Sequence, residues 1–88
     1  MLKSRMINYE TLEELKLEVI RARTKFPDNA LLLAALMEEV GELAKAYLQR
    51  QGNVSVQREA LQVACVALRI YEEGDSTFDN ITDVQAKL

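Results

Sequence analysis

The fold of this protein is decided by residues 59–71, which read Glu-Ala-Leu-Gln-Val-Ala-Cys-Val-Ala-Leu-Arg-Ile-Tyr. From residue 60 to residue 71 the run is apolar except for Gln62 and Arg69. A helix that is apolar over most of its circumference must be covered on more than one side. A chain of 88 residues offers little to cover it. We therefore expect an all-α fold, a helical bundle of three main helices that is completed by homodimerisation.

Upstream of this segment the sequence predicts a first helix over residues 12–25, with an apolar stripe at helical spacing. Thr11 followed three residues later by Glu14 resembles a capping box at its start. Pro27 disfavours a helical conformation at the residue before it and is expected to end the helix.

A second helix is predicted over residues 30–51, capped by Asp28 or Asn29 and stopped by the Gly52-Asn53 pair. The third helix is expected to begin at residue 54 or 55 and to end before Gly74. The tail, residues 75–88, is expected to form a short fourth helix or to fray.

Composition limits the classes of function that this chain can serve. The 88 residues form at most one domain, with a net charge of −3 and no histidine. An acidic balance argues against nucleic acid as the main partner, and no apolar stretch has the roughly 20 residues that span a bilayer. The single cysteine, Cys65, lies in an apolar run and is expected in the core of a cytoplasmic protein, although a reactive thiol is the alternative.

Three carboxylates lie within five residues of the second helix, namely Glu38, Glu39 and Glu42. At 100° per residue Glu39 falls at the edge of the apolar face and the other two beyond it. Glutamates on helices usually form a solvated face, which is one interpretation. The other is a site for a hard divalent cation, which prefers oxygen ligands.

The third helix favours the interpretation of these glutamates as a cation site. Glu59 falls within the apolar sector of this helix, where a carboxylate is costly unless it is paired or bound to a metal. Gln62 lies one turn further on and is able to offer an amide oxygen. Gly41 in the middle of the second helix indicates either tight helix packing or access for a ligand.

The pattern Glu-Glu-x-x-Glu on one helix and Glu-x-x-Asp on the next resembles the signature of the MazG-like all-α nucleoside triphosphate pyrophosphohydrolases. Glu38, Glu39 and Glu42 match its first part, and Glu59 matches the start of its second part. The resemblance covers residues 31–73, about half of the chain. It implies Mg²⁺-dependent cleavage of a nucleoside triphosphate between the α and β phosphates. It also implies assembly as a homodimer or homotetramer with a four-helix-bundle core.

The resemblance also implies residue roles. Glu39, Glu42 and Glu59 would bind Mg²⁺ or Mn²⁺, whereas Glu38 would orient or deprotonate the attacking water or hold a second metal. The sequence leaves open which basic residue contacts the phosphates. Arg23 and Lys25 are possible contacts, and Lys45 is a candidate because it lies one turn from Glu42. Arg69 is a second candidate, and an ordinary exposed arginine is the alternative interpretation of that position.

The sequence departs from the signature at one position, because the final Asp of the family falls at Gln62. A glutamine still offers a neutral oxygen to a metal but removes one negative charge from the site. The function alternatives are therefore an active pyrophosphohydrolase, a weak or inactive relative that binds metal or nucleotide, and a helical oligomerisation module. Substitution of Gln62 by Asp is expected to raise Mg²⁺ affinity and turnover if the family geometry holds.

Overall fold

The computed structural model describes residues 6–79, and this part of the chain contains helices and no strand. Helix α1 spans Tyr9–Lys25, α2 spans Leu32–Leu48, and α3 spans Asn53–Glu73. A short 3₁₀ helix follows over Ser76–Phe78. The predicted all-α fold with three main helices is thus confirmed. The predicted tail lies outside the described residues from residue 80 onward.

Helix α3 is the centre of the arrangement. It packs against both α1 and α2, whereas the backbones of α1 and α2 do not approach each other closely in residues 6–79. The fully buried apolar side chains come from all three helices and are Val19, Leu32, Ala46 and Cys65. Because the two outer helices stand apart, a cleft opens between them with α3 as its floor.

Helix α1 begins three residues earlier than the sequence predicted. The side chain of Asn8 accepts hydrogen bonds from the backbone N–H groups of Glu10, at 2.7 Å, and Thr11, at 3.3 Å. Two otherwise unpaired donors of the first turn are satisfied in this way. The capping box predicted at Thr11 is therefore wrong, because Thr11 already lies inside the helix.

Helix α2 is shorter than predicted at its C-terminal end, which lies before Gly52. Arg50 takes the left-handed conformation with φ 53°. The Gln51 N–H bonds to the Ala46 carbonyl at 3.0 Å, and the Arg50 N–H bonds to the Tyr47 carbonyl at 3.2 Å. This bonding is a Schellman motif, with arginine in the place usually held by glycine. Gly52, at φ 99°, instead precedes the first turn of α3.

The start of α2 is capped from the far end of the chain. Leu31 is left-handed, with φ 61°, and offers no side-chain cap. Asp75 instead accepts from the backbone N–H groups of Leu31, at 3.1 Å, and Leu33, at 2.8 Å. These bonds, with those from Thr77, lower the Asp75 pKa to about 2. The predicted cap by Asp28 or Asn29 is wrong, since it is Asp75 that ties α2 to the end of α3.

Much of the apolar surface is left uncovered by the chain itself. On α2, Leu33, Met37 and Val40 are 43%, 63% and 40% exposed, and Tyr47 continues the same stripe at 72%. On α3, the stripe at the same spacing is exposed too and consists of Ala60, Ala64, Ala67 and Tyr71. Spacings of three and four residues place each set on one face of its helix.

In residues 6–79 no helix is long and apolar enough to cross a membrane.

Candidate active site

Glu39 of α2 is influenced by the charge of Glu59 on α3, the helix against which α2 packs. Glu39 is half-buried, and its pKa is raised, first by burial and then by the charges of Glu59, Glu38 and Glu42. The charge of Glu59 raises this pKa more than the charges of Glu38 and Glu42 do. Glu39 is thus the one of the four predicted glutamates on which the charges of the other three act. Their roles as metal ligands remain predictions.

The donor set suits a hard cation. Glu39 and Glu59 are half-buried, whereas Glu38 and Glu42 are exposed. The like charges that raise the Glu39 pKa would be relieved by a positive ion placed among these carboxylates. In residues 6–79 no three His, Cys, Asp or Glu side chains already converge in a metal-holding arrangement. Coordination of an ion by these glutamates would therefore require their side chains to move. Glu38 and Glu42 are exposed and have room to do so.

A cleft of about 610 Å³ lies beside these carboxylates, between α1 and α2. Of the predicted site residues, Glu38, Glu39, Gln62 and Arg69 line it, whereas Glu42, Glu59 and Lys45 do not. The other lining residues are apolar ones such as Leu32 and Phe26, together with Arg21, Lys25, Glu18 and Asp28. The volume falls in the range of small-molecule sites.

Gln62 does not stand alone in this cleft. Its amide Nε2 donates to Glu18 Oε2 at 2.8 Å, and the other carboxylate oxygen of Glu18 pairs with Arg21. Sequence reasoning missed Glu18. The signal was its position, because Glu18 lies three residues after Leu15 and four before Ala22, within the apolar stripe of α1.

The predicted phosphate contact Lys45 is exposed in the last turn of α2. It is not among the residues that line the cleft, whereas Arg21 and Lys25 of α1 are. Arg23 faces elsewhere and is held by Glu72 and Glu73, each at 2.6 Å. Arg21 and Lys25 are therefore basic residues that line the cleft, whereas Lys45 lies outside it. Contact of Lys45 with phosphate stays a prediction.

The interpretation of Arg69 as an ordinary exposed arginine is wrong, since Arg69 is only 2% exposed. Its Nε donates to Glu73 Oε2 at 2.8 Å, and its Nη2 donates to Glu73 Oε1 at 2.9 Å. The same Nη2 reaches the Asp28 carbonyl at 3.4 Å. Two parallel hydrogen bonds of this kind balance the charge of the guanidinium with that of the carboxylate and fix the plane of the guanidinium. Arg69 does line the cleft, and its contact with phosphate remains a prediction.

Two smaller sequence questions are answered by the packing. Cys65 is buried, at 1% exposure, and burial raises the pKa of its thiol, so the core interpretation is confirmed. A Cβ added at Gly41 would meet no atom within 4 Å. Tight packing in the described chain therefore does not explain this glycine, and access for a ligand stays a prediction.

In comparisons with known proteins, no family model matches this chain, and neither a curated protein nor a solved structure gives a significant match.

Proposed function

We propose that this protein is a Mg²⁺-dependent nucleoside triphosphate pyrophosphohydrolase, which converts a nucleoside triphosphate to the monophosphate and pyrophosphate. The observation that carries the proposal is the position of Glu39. It is half-buried on α2, faces the charge of Glu59 on α3, and lies in the wall of a cleft of nucleotide size. A folded chain keeps such an unfavourable arrangement most readily where a cation uses it.

Glu39, Glu59 and Glu42 are the proposed ligands, with Gln62 as a neutral fourth donor. Bound Mg²⁺, or Mn²⁺ in its place, would supply neutralisation of the polyphosphate and a lowered pKa of bound water. The exposed Glu38 is proposed to orient or deprotonate the water, whose oxygen attacks the α phosphorus. The bond from that phosphorus to the bridging oxygen breaks, and pyrophosphate leaves in line.

The rest of the cleft is proposed to hold the nucleoside and the outer phosphates. Phe26 is 61% exposed at the rim and offers an aromatic face, over which Lys25 Nζ lies at 5.4 Å from the ring centroid. Lys25 and Arg21 add positive charge to a wall that is otherwise apolar. Positioning and charge stabilisation of this kind are what phosphoryl transfer chiefly requires.

We further propose that a second copy of the chain covers the exposed stripe of α2 around Met37 and the alanine stripe of α3. Four helices, two from each chain, would then form a bundle with the apolar area that one copy lacks. Small residues such as Ala60 and Ala64 let helix backbones approach closely.

Replacement of Met37 by Glu is expected to dissociate this assembly. The Met37 side chain is 63% exposed in the single chain, so the charge harms the interface rather than the fold. Light scattering should give the wild type a multiple of the 10.0 kDa chain mass and the variant that mass alone. Leu17→Glu on α1, where Leu17 is 52% exposed, is the matched control and should leave the mass of the assembly unchanged. A monomeric wild type would contradict the assembly.

One observation favours a second function, a relative that binds metal or nucleotide without turnover. Gln62 supplies no negative charge and already donates to Glu18. With one charge fewer than the MazG-like signature, the site would hold its ion less tightly. The two functions differ in a single observable, which is the release of pyrophosphate.

The deciding experiment incubates the purified protein with standard and modified nucleoside triphosphates and Mg²⁺ or Mn²⁺, and assays pyrophosphate. We expect release from at least one nucleotide class, because the cleft and the carboxylates lie side by side. We expect none in the presence of a chelator or with Glu42→Ala, because both remove the metal from the proposed site. Glu42 is exposed, so its replacement should leave the fold intact.

Binding of Mn²⁺ or nucleotide without pyrophosphate would establish the second function. Absence of both binding and release from a folded protein would leave the helical oligomerisation module.

A further inference from the structure

We infer that Glu18 of α1 is a positioning residue for the metal site, and that it turns Gln62 into a metal ligand by fixing which end of its amide faces the carboxylates. This inference rests on the proposed function. The observation behind it is the hydrogen bond from Gln62 Nε2 to Glu18 Oε2, at 2.8 Å, between α3 and α1.

Glu18 is held in place for this role. Its side chain is 19% exposed, and Oε1 is paired with the guanidinium of Arg21. The second oxygen, Oε2, accepts from Gln62 Nε2. An amide that donates to Glu18 through its nitrogen has its oxygen free for another partner.

The direction of the amide matters because only its oxygen is a ligand for Mg²⁺. A glutamine without a fixed partner presents nitrogen and oxygen alternately, and the nitrogen excludes the ion. Gln62 lines the same cleft as Glu38 and Glu39, and in the proposed site its freed oxygen faces these carboxylates. Partners outside the ligand shell commonly orient a ligand in this way in metal sites.

The same contact explains why an acid is unfavourable at this position. An Asp at residue 62 has no hydrogen to donate and would place a second negative charge against Glu18. The expected gain in metal affinity from Gln62→Asp therefore should not appear in the single variant. It should appear when Glu18→Gln is added, because the new amide donates to the new carboxylate.

The test measures Mn²⁺ binding to the intact chain without nucleotide, from the electron paramagnetic resonance signal of free Mn²⁺. The variants are Glu18→Ala and Glu18→Gln, which remove the same charge but differ in whether an acceptor oxygen remains. The matched control is Glu14→Ala, an exposed carboxylate one turn earlier on the same helix. Folding of each variant is checked by its melting temperature.

We expect Glu18→Ala to weaken Mn²⁺ binding by about tenfold or more. Glu18→Gln should retain most of the affinity, and the Glu14 control should match the wild type. We expect Gln62→Asp with Glu18→Gln to bind Mn²⁺ more tightly than Gln62→Asp alone.

A second measurement reports the amide directly. In nitrogen–proton spectra the side-chain NH₂ of Gln62 should show the shift of a hydrogen-bonded amide in the wild type and in Glu18→Gln. This signature should be lost in Glu18→Ala, and added Mg²⁺ should then no longer move the signal. A role of Glu18 in general stability alone would not produce this pattern.

The outcomes separate the inference from the proposed function. Equal Mn²⁺ affinity in wild type, Glu18→Ala and Glu18→Gln overturns the role of Glu18, whether or not pyrophosphate is released. A tenfold loss in Glu18→Ala with no pyrophosphate from any nucleotide supports the role of Glu18 and overturns the hydrolase. A wild type that binds no Mn²⁺ overturns both.

Discussion

Replacement of Glu39 by Gln is expected to lower pyrophosphate release by more than about 100-fold while raising the stability of the metal-free protein. In Glu39 the ionised form of the carboxyl group is disfavoured by its surroundings. Burial and the charges of Glu59, Glu38 and Glu42 all raise its pKa. Glutamine has nearly the same shape and carries no charge, so it removes the ligand and the repulsion together.

The sign of the stability change follows from that pKa. A carboxyl group whose pKa is raised by folding is ionised at neutral pH at a cost to the folded state. The neutral amide avoids this cost, and the metal-free melting temperature should rise. Mg²⁺ should then raise the melting temperature of the wild type by mass action and leave the variant unchanged.

The measurements are the rate of pyrophosphate release and melting curves with and without Mg²⁺. Glu14→Gln makes the same chemical change on an exposed position of α1 and should alter neither. If Glu39→Gln keeps full turnover, Glu39 is not a ligand. If it lowers the metal-free melting temperature, the Glu39 carboxylate stabilises the metal-free fold, and the expected repulsion is contradicted.

Replacement of Glu73 by Ala is expected to lower the free energy of unfolding by about 3 kcal/mol, because it leaves a buried charge without its partner. Arg69 is 2% exposed and bonds to Glu73 through two nitrogens, at 2.8 and 2.9 Å. Arg23 bonds to the same carboxylate at 2.6 Å. The helix dipole disfavours a negative charge in the last turn of a helix. The two arginines offset this cost, and they explain how Glu73 is tolerated at the end of α3.

The corresponding fall in melting temperature is on the order of 15 °C for a domain of this size. Glu72→Ala is the matched control on the neighbouring residue. It removes the pairing of Glu72 with Arg23, in which the two side chains are 47% and 40% exposed, and should have little effect. The double variant with Arg69→Met should recover part of the loss, since an apolar side chain tolerates the buried site. No recovery would mean that Glu73 stabilises the fold by some route other than Arg69.

Acid should act through the same contacts. Folding lowers the pKa of Glu73 from 4.5 to about 2 and that of Asp75 from 3.8 to about 2. A depressed folded-state pKa contributes stability that is present above the unfolded-state value and lost as the pH falls toward the folded-state value. Urea unfolding from neutral pH to about pH 2 should therefore show a loss that begins near the unfolded-state values. Glu73→Ala should make that dependence shallower.

The sequence alone predicted the number and order of the main helices, because the apolar period and the rare glycine and proline are local signals. It also singled out Glu39 and Glu59, since a carboxylate within an apolar sector is visible on a helical wheel. Their proximity needed only the packing of two adjacent helices. The roles of these residues stay predictions that the turnover and Mn²⁺ measurements decide.

The tertiary structure decided everything that depends on residues far apart in the chain. Asp75 caps α2 from more than 40 positions away, and Glu18 meets Gln62 across a similar distance in sequence. Arg69 is buried in the packed chain, where its guanidinium reaches the Asp28 carbonyl 41 residues away. A helical wheel gives the face on which a side chain lies but not which residues of other helices pack against that face. Hydrogen bonds and ion pairs between helices depend on those residues, which only the packed chain reveals.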